Sequence, residues 1–67
     1  MKLEEFRIYV AVLSRPELAN LSGVSVSSIK RIEEGETVAP LTQARILKGL
    51  SVHLGRTVTR EEIDEFK

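Results

Sequence analysis

Ser14-Arg15-Pro16-Glu17-Leu18-Ala19-Asn20-Leu21-Ser22-Gly23-Val24-Ser25-Val26-Ser27-Ser28-Ile29-Lys30-Arg31-Ile32-Glu33-Glu34-Gly35 is the stretch that decides the fold. Ser14 and Glu17 have the spacing of a capping box, in which each side chain takes a backbone N–H that the first helical turn leaves unpaired. Pro16 is tolerated there because that turn needs no N–H from it. The spacing predicts a helix to about Ser22, ended by Gly23 in the left-handed conformation. Ser25 is a second N-cap, so a second helix runs to Glu34, with Ile29 and Ile32 on its buried side. Gly35 ends it. Ala19 is expected to be the small residue that lets the two helices cross.

Outward from this pair, Glu36 to Ala39 reads as a loop, and Pro40 suits the first position of a new helix. That helix is expected from about Leu41 to Leu54, with Leu41, Ala44, Leu47, Leu50 and Leu54 as its apolar stripe and Gly55 as its stop. Arg45 and Lys48 fall off the stripe. Thr59-Arg60-Glu61-Glu62 is another capping box, opening a short last helix with Ile63 and Phe66 inward. The first segment, Lys2 to Leu13, reads two ways. Leu3, Phe6 and Val10 fit a helical face, whereas Phe6, Ile8, Val10 and Val12 alternate as in a strand. A lone strand has no partner here, so a helix is favoured. The whole is one all-α domain of four to five helices spanning residues 1–67.

The composition narrows the function. The chain has 67 residues, no cysteine and 30% charged residues, so a disulfide framework, a thiolate metal site and a membrane-spanning helix are all excluded. No secretion signal is legible, and the expected compartment is the cytoplasm. The formal net charge is zero, with ten basic and ten acidic residues. Glu4, Glu5, Glu61, Glu62, Asp64 and Glu65 put much of the acid at the ends. From Arg7 to Arg31 the basic residues are Arg7, Arg15, Lys30 and Arg31, against one acid, Glu17. No metal ligands are suitably spaced around His53, which reads as a boundary residue. Tyr9 reads as core or dimer packing. The serine run has no base beside it, so no nucleophile is inferred. The chain is read as a non-enzyme with no cofactor.

What remains on the outside of the second helix is short and polar, then cationic: Val26, Ser27, Ser28, Lys30 and Arg31. Short side chains let a helix backbone approach another surface closely, and two helices joined by a glycine turn is a geometry that places one in the DNA major groove. Residues Leu13 to Gly35 resemble the helix-turn-helix family of phage repressors and Cro proteins, also called the Xre family. The matching positions are Leu13-Ser14-Arg15-Pro16-Glu17-Leu18-Ala19, Gly23-Val24-Ser25 and Ser27-Ser28-Ile29-Lys30-Arg31-Ile32-Glu33-Glu34-Gly35. The resemblance implies a compact lambda-repressor-like domain that binds double-stranded DNA as a transcriptional regulator, a repressor in the family's usual role. It makes Val26, Ser27, Ser28, Lys30 and Arg31 the groove-facing residues of the recognition helix. Ser14 and Arg15 would meet phosphates or a flanking base. It also implies a structural pair between Glu33 and Arg7. A homodimer on a two-fold operator, with half-sites about 34 Å apart, would follow. Leu54, Val58 and Phe66 are candidates for its interface.

Four positions depart from the family pattern. Val26 stands where Gln or Arg is usual, and valine can only contact a thymine methyl. Arg15 replaces Gln. Glu34-Gly35-Glu36 replaces Asn-Gly-Lys, and a carboxylate set near a phosphate costs roughly 1 kcal/mol. These acids and the zero net charge leave a second expectation open: a protein-interaction module, or the antitoxin of a toxin–antitoxin pair.

Overall fold

The computed structural model describes all residues, Met1–Lys67, and they form four helices with no strand. Helix α1 (Leu3–Glu5) continues into a wider π-helical turn (Phe6–Val10). Helices α2 (Arg15–Ser22), α3 (Val26–Glu33) and α4 (Pro40–Leu54) follow. The chain closes with two 3₁₀ turns, Arg60–Glu62 and Asp64–Phe66. The last helix expected from Thr59 is therefore these two turns, broken at Ile63, whose backbone is extended at φ −123°. Ile63 and Phe66 are buried as expected. Extending the backbone at Ile63 lets the two apolar side chains enter the core without a continuous helix.

The first segment settles as a helix because its neighbours bury a helical face. Leu3, Phe6 and Arg7 are inside, while Ile8 and Val12, which a strand would have placed with Phe6, are exposed. The turn ends with the Leu13 N–H donating to Arg7 O at 2.9 Å and with Val12 at φ 56°. A β-branched residue in the left-handed region is strained, since its Cβ crowds the following carbonyl. Tyr9, expected in a core or dimer, is 77% exposed.

The caps at α2 and α3 form as read. Glu17 N donates to Ser14 Oγ at 3.2 Å, and Ser14 N donates to Glu17 Oε1 at 2.8 Å. Gly23 takes φ 71°, its N–H donating to Ala19 O at 2.9 Å. Ser28 N donates to Ser25 Oγ at 3.1 Å to start α3.

The packing differs from expectation in the face of α4 and in the residues placed at a dimer interface. In α4 the buried face is Ile46, Gly49 and Leu50, with Leu47 and Leu54 half-buried. Leu41 and Ala44 are outside, because α4 is rotated to set Gly49 against α2. A Cβ on Gly49 would lie 3.1 Å from Leu21 O and from Ser22 Cα. A small residue is thus required where α4 meets α2, at Gly49, and Ala19 of α2 packs partly buried against the core. Val58 and Phe66, candidates for a dimer interface, are 4% and 3% exposed, so they belong to the core, which Leu54 also lines.

The chain ends are tied together. The N-terminal ammonium donates to Asp64 Oδ1 at 3.0 Å, and Leu3 N to Glu65 Oε1 at 2.8 Å. No helix is long and apolar enough to cross a membrane.

Candidate nucleic-acid interface

Helix α3 is held from beneath by Ile29 and Ile32, both buried. That anchoring turns Val26, Ser27, Lys30 and Arg31 outward, and all four are exposed. Ser28 is half-buried, and its Oγ accepts a 2.9 Å hydrogen bond from Ser25 Oγ. The hydroxyl of Ser28 is thus partly committed to the cap.

Neither Lys30 nor Arg31 enters any of the ion pairs of the chain. Arg7, Arg15, Arg56, Arg60 and Lys67 do. Two neighbouring cations left without carboxylates in the last turn of α3, with short hydroxyls in its first turn, form a surface able to hold anionic oxygens and to hydrogen-bond polar edges.

Beside this surface lies an open cleft between α3 and the start of α4, lined by Ser28, Arg31, Ile32, Glu36, Thr37, Val38, Ala39 and Thr42. Thr37 and Thr42 were not singled out from sequence. A threonine in a loop or on a polar helix face carries no periodic signal, and only the approach of α4 brings them to Arg31. Glu34 and Glu36 part company around Gly35, whose φ is 96°. Glu36 shares the cleft with Arg31, whereas Glu34 lines a separate groove with Lys2, Asp64 and Glu65. Of the two carboxylates, one stands beside the α3 surface.

Ser14 and Arg15 sit at the start of α2, apart from that cluster in sequence but joined to α3 through Glu33. The Glu33 side chain is 1% exposed. Arg7 Nε donates to its Oε2 at 2.7 Å and Arg7 Nη1 to Leu13 O at 2.9 Å. Arg15 Nε donates to Oε1 of the same carboxylate at 2.8 Å. This hydrogen bond raises the Arg15 guanidinium above its ordinary pKa. The pairing of Arg7 with Glu33 is as expected. The recruitment of Arg15 is new: the residue expected at phosphates has its Nε edge on Glu33 and about a third of its side chain exposed. Ser14 Oγ is engaged in its cap.

His53 presents Nε2 to Ala11 O at 2.9 Å, which bridges the end of α4 to the segment after α1. No group of three or more His, Cys, Asp or Glu side chains is placed to hold a metal ion.

The architecture is that of a small all-helical domain displaying one short helix, α3, with an unpaired cationic end. The chain matches no protein-family model, no curated protein and no solved structure.

Proposed function

We propose that the chain is a helix-turn-helix DNA-binding regulator with a lambda-repressor-like arrangement, in which α3 enters the major groove. The observation that carries this reading is the outer face of α3. Val26, Ser27, Lys30 and Arg31 are exposed together, and both cations lack an ionic partner in a chain that pairs half of its basic side chains. On this reading Lys30 and Arg31 contact bases or phosphates near the end of α3. Val26 meets a thymine methyl, and Ser27 and Ser28 let the helix backbone come close. Arg15 keeps Nε on Glu33, and its Nη2, 4.0 Å from the exposed Glu4 Oε2, would leave that carboxylate for the phosphate backbone. The protein acts as a cytoplasmic, non-enzymatic repressor that binds a two-fold operator as a homodimer, because one such helix reads only a few base pairs.

Glu36 supports a second reading. A carboxylate in the cleft beside Arg31 disfavours phosphate and favours a basic partner protein, as in an antitoxin. Selection of bound sequences from a randomised duplex pool decides between the two. The DNA reading expects an enriched palindrome, lost in Lys30→Ala/Arg31→Ala. Each phosphate contact contributes about −0.9 to the slope of log affinity against log salt, and the double variant flattens it. A wild-type protein that enriches no sequence, even at low salt, overturns the DNA reading.

A further inference from the structure

Helix α4 carries an outer face that the domain itself does not use. Leu41, Arg45, Lys48 and Val52 lie four, three and four residues apart along it. That spacing aligns them on one side of a helix as a seam about 16 Å long. All four are exposed, Leu41 at 61% and Val52 at 71%. The backbone of Leu21, a residue 43% exposed, passes over Gly49, one turn from both Arg45 and Val52, and adds α2 to the edge of the face. The side chains of Arg45 and Lys48 have no carboxylate within ion-pair distance and make no hydrogen bond, although ten acidic residues are available in the chain. The face therefore has a cationic centre and apolar ends.

We infer that this face docks an acidic amphipathic helix of a partner protein, with carboxylates over Arg45 and Lys48 and apolar side chains over Leu41 and Val52. A seam spaced by fours and threes is how one helix packs along another. Charge complementarity selects the occupant. A second copy of this chain packing α4 on α4 sets Arg45 and Lys48 against the same cations, whether the helices run parallel or antiparallel, so like charges oppose that pairing. A nucleic-acid backbone would satisfy the cations but leaves Leu41 and Val52 in water. An acidic helix covers both. The inference stands independently of what α3 binds.

The test uses the whole chain and two synthetic 18-residue helical peptides labelled for fluorescence anisotropy. One carries Leu-Glu-Glu-Leu at the complementary spacing, and the other has lysine in place of both glutamates. The expected result is at least tenfold tighter binding of the glutamate peptide. Arg45→Glu/Lys48→Glu reverses the preference, and Leu41→Ser/Val52→Ser weakens binding of the glutamate peptide about tenfold. Thermal melts of each variant confirm that it is folded, and the reversal itself requires a folded surface. Equal binding of the two peptides, no binding of either, or a charge swap without reversal overturns the inference. So does a result in which the charge swap abolishes binding of duplex DNA and leaves peptide binding unchanged, which makes the face a phosphate contact. Loss of operator selection in Lys30→Ala/Arg31→Ala bears only on α3.

Discussion

Replacing Arg7 by methionine isolates what the buried ion pair does. The Arg7 side chain is 8% exposed and Glu33 1%. Methionine keeps an unbranched apolar stem in that space but removes the donors at 2.7 Å from Glu33 Oε2 and 2.9 Å from Leu13 O. Arg15 remains on Oε1, so half of the carboxylate is left without a partner in a site that water does not reach. Removing the sole partner of a buried charge costs about 3–5 kcal/mol, because the surviving charge stays desolvated, and the Arg15 contact that remains here sets the loss at the lower end of that range. A domain of this length has a total stability of about 3–10 kcal/mol, and a core below 70–80 residues seldom provides more than about 5. Arg7→Met should therefore be largely unfolded at 25 °C, or melt far below the parent, by far-UV circular dichroism. Arg7→Met/Glu33→Leu removes both charges, and apolar replacements of similar volume are often neutral. The double variant should recover most of the lost stability. A loss under about 1 kcal/mol in the single variant, or a double variant no better than the single one, would refute the reasoning, since the unpartnered Oε2 of a buried carboxylate would then not be the cause.

Three further outcomes follow from the same structure. Gly49→Ala gains about 1 kcal/mol of helix propensity but drives a Cβ to 3.1 Å from the α2 backbone, an overpacking that costs roughly 1–3 kcal/mol. The melting temperature should fall by several degrees, whereas an increase means α2 can yield. Val12→Gly relieves a left-handed β-branched residue and loses little packing, since Val12 is 74% exposed. Stability should rise by roughly 0.5–1 kcal/mol, the strain relieved less glycine's entropy, and an unchanged or lower melting temperature contradicts this. Carboxyl groups are held below their ordinary pKa at Glu17 by the Ser14 N–H and hydroxyl, at Glu62 by Arg56 and the Thr59 N–H, and at Asp64 by the N-terminal ammonium. Groups with lowered folded pKa contribute stability that is present above the unfolded values, about 4, and lost as pH falls through the folded ones. The melting temperature should be flat with respect to these groups above about pH 5 and drop below about pH 4, with a shallower drop in Glu17→Gln.

How much was legible differs by element, and the division has a physical cause. The α2 and α3 starts, the left-handed Gly23 and the start of α4 at Pro40 all depend on groups within a few residues of each other, so their chemistry is written locally. The outward placement of Val26, Ser27, Lys30 and Arg31 follows from Ile29 and Ile32 by the helical period alone. Helix α4 was legible as a helix but not in its orientation. It carries apolar residues on more than one side, Leu41, Ala44 and Val52 as well as Ile46, Leu47 and Leu50, and periodicity admits either face. Only the fit of Gly49 against Leu21 and Ser22 selects Ile46 and Leu50 for the core and leaves Leu41, Arg45, Lys48 and Val52 outside.

The sequence by itself determined where the helices begin and turn, because caps, glycines and prolines act on their immediate neighbours. The tertiary structure alone decided which face of α4 is buried, that Val58 closes the core, and that Arg15 joins Arg7 on Glu33. These depend on groups many residues apart, whose meeting is set by the shapes of the packed surfaces and by the cost of burying a charge without a partner.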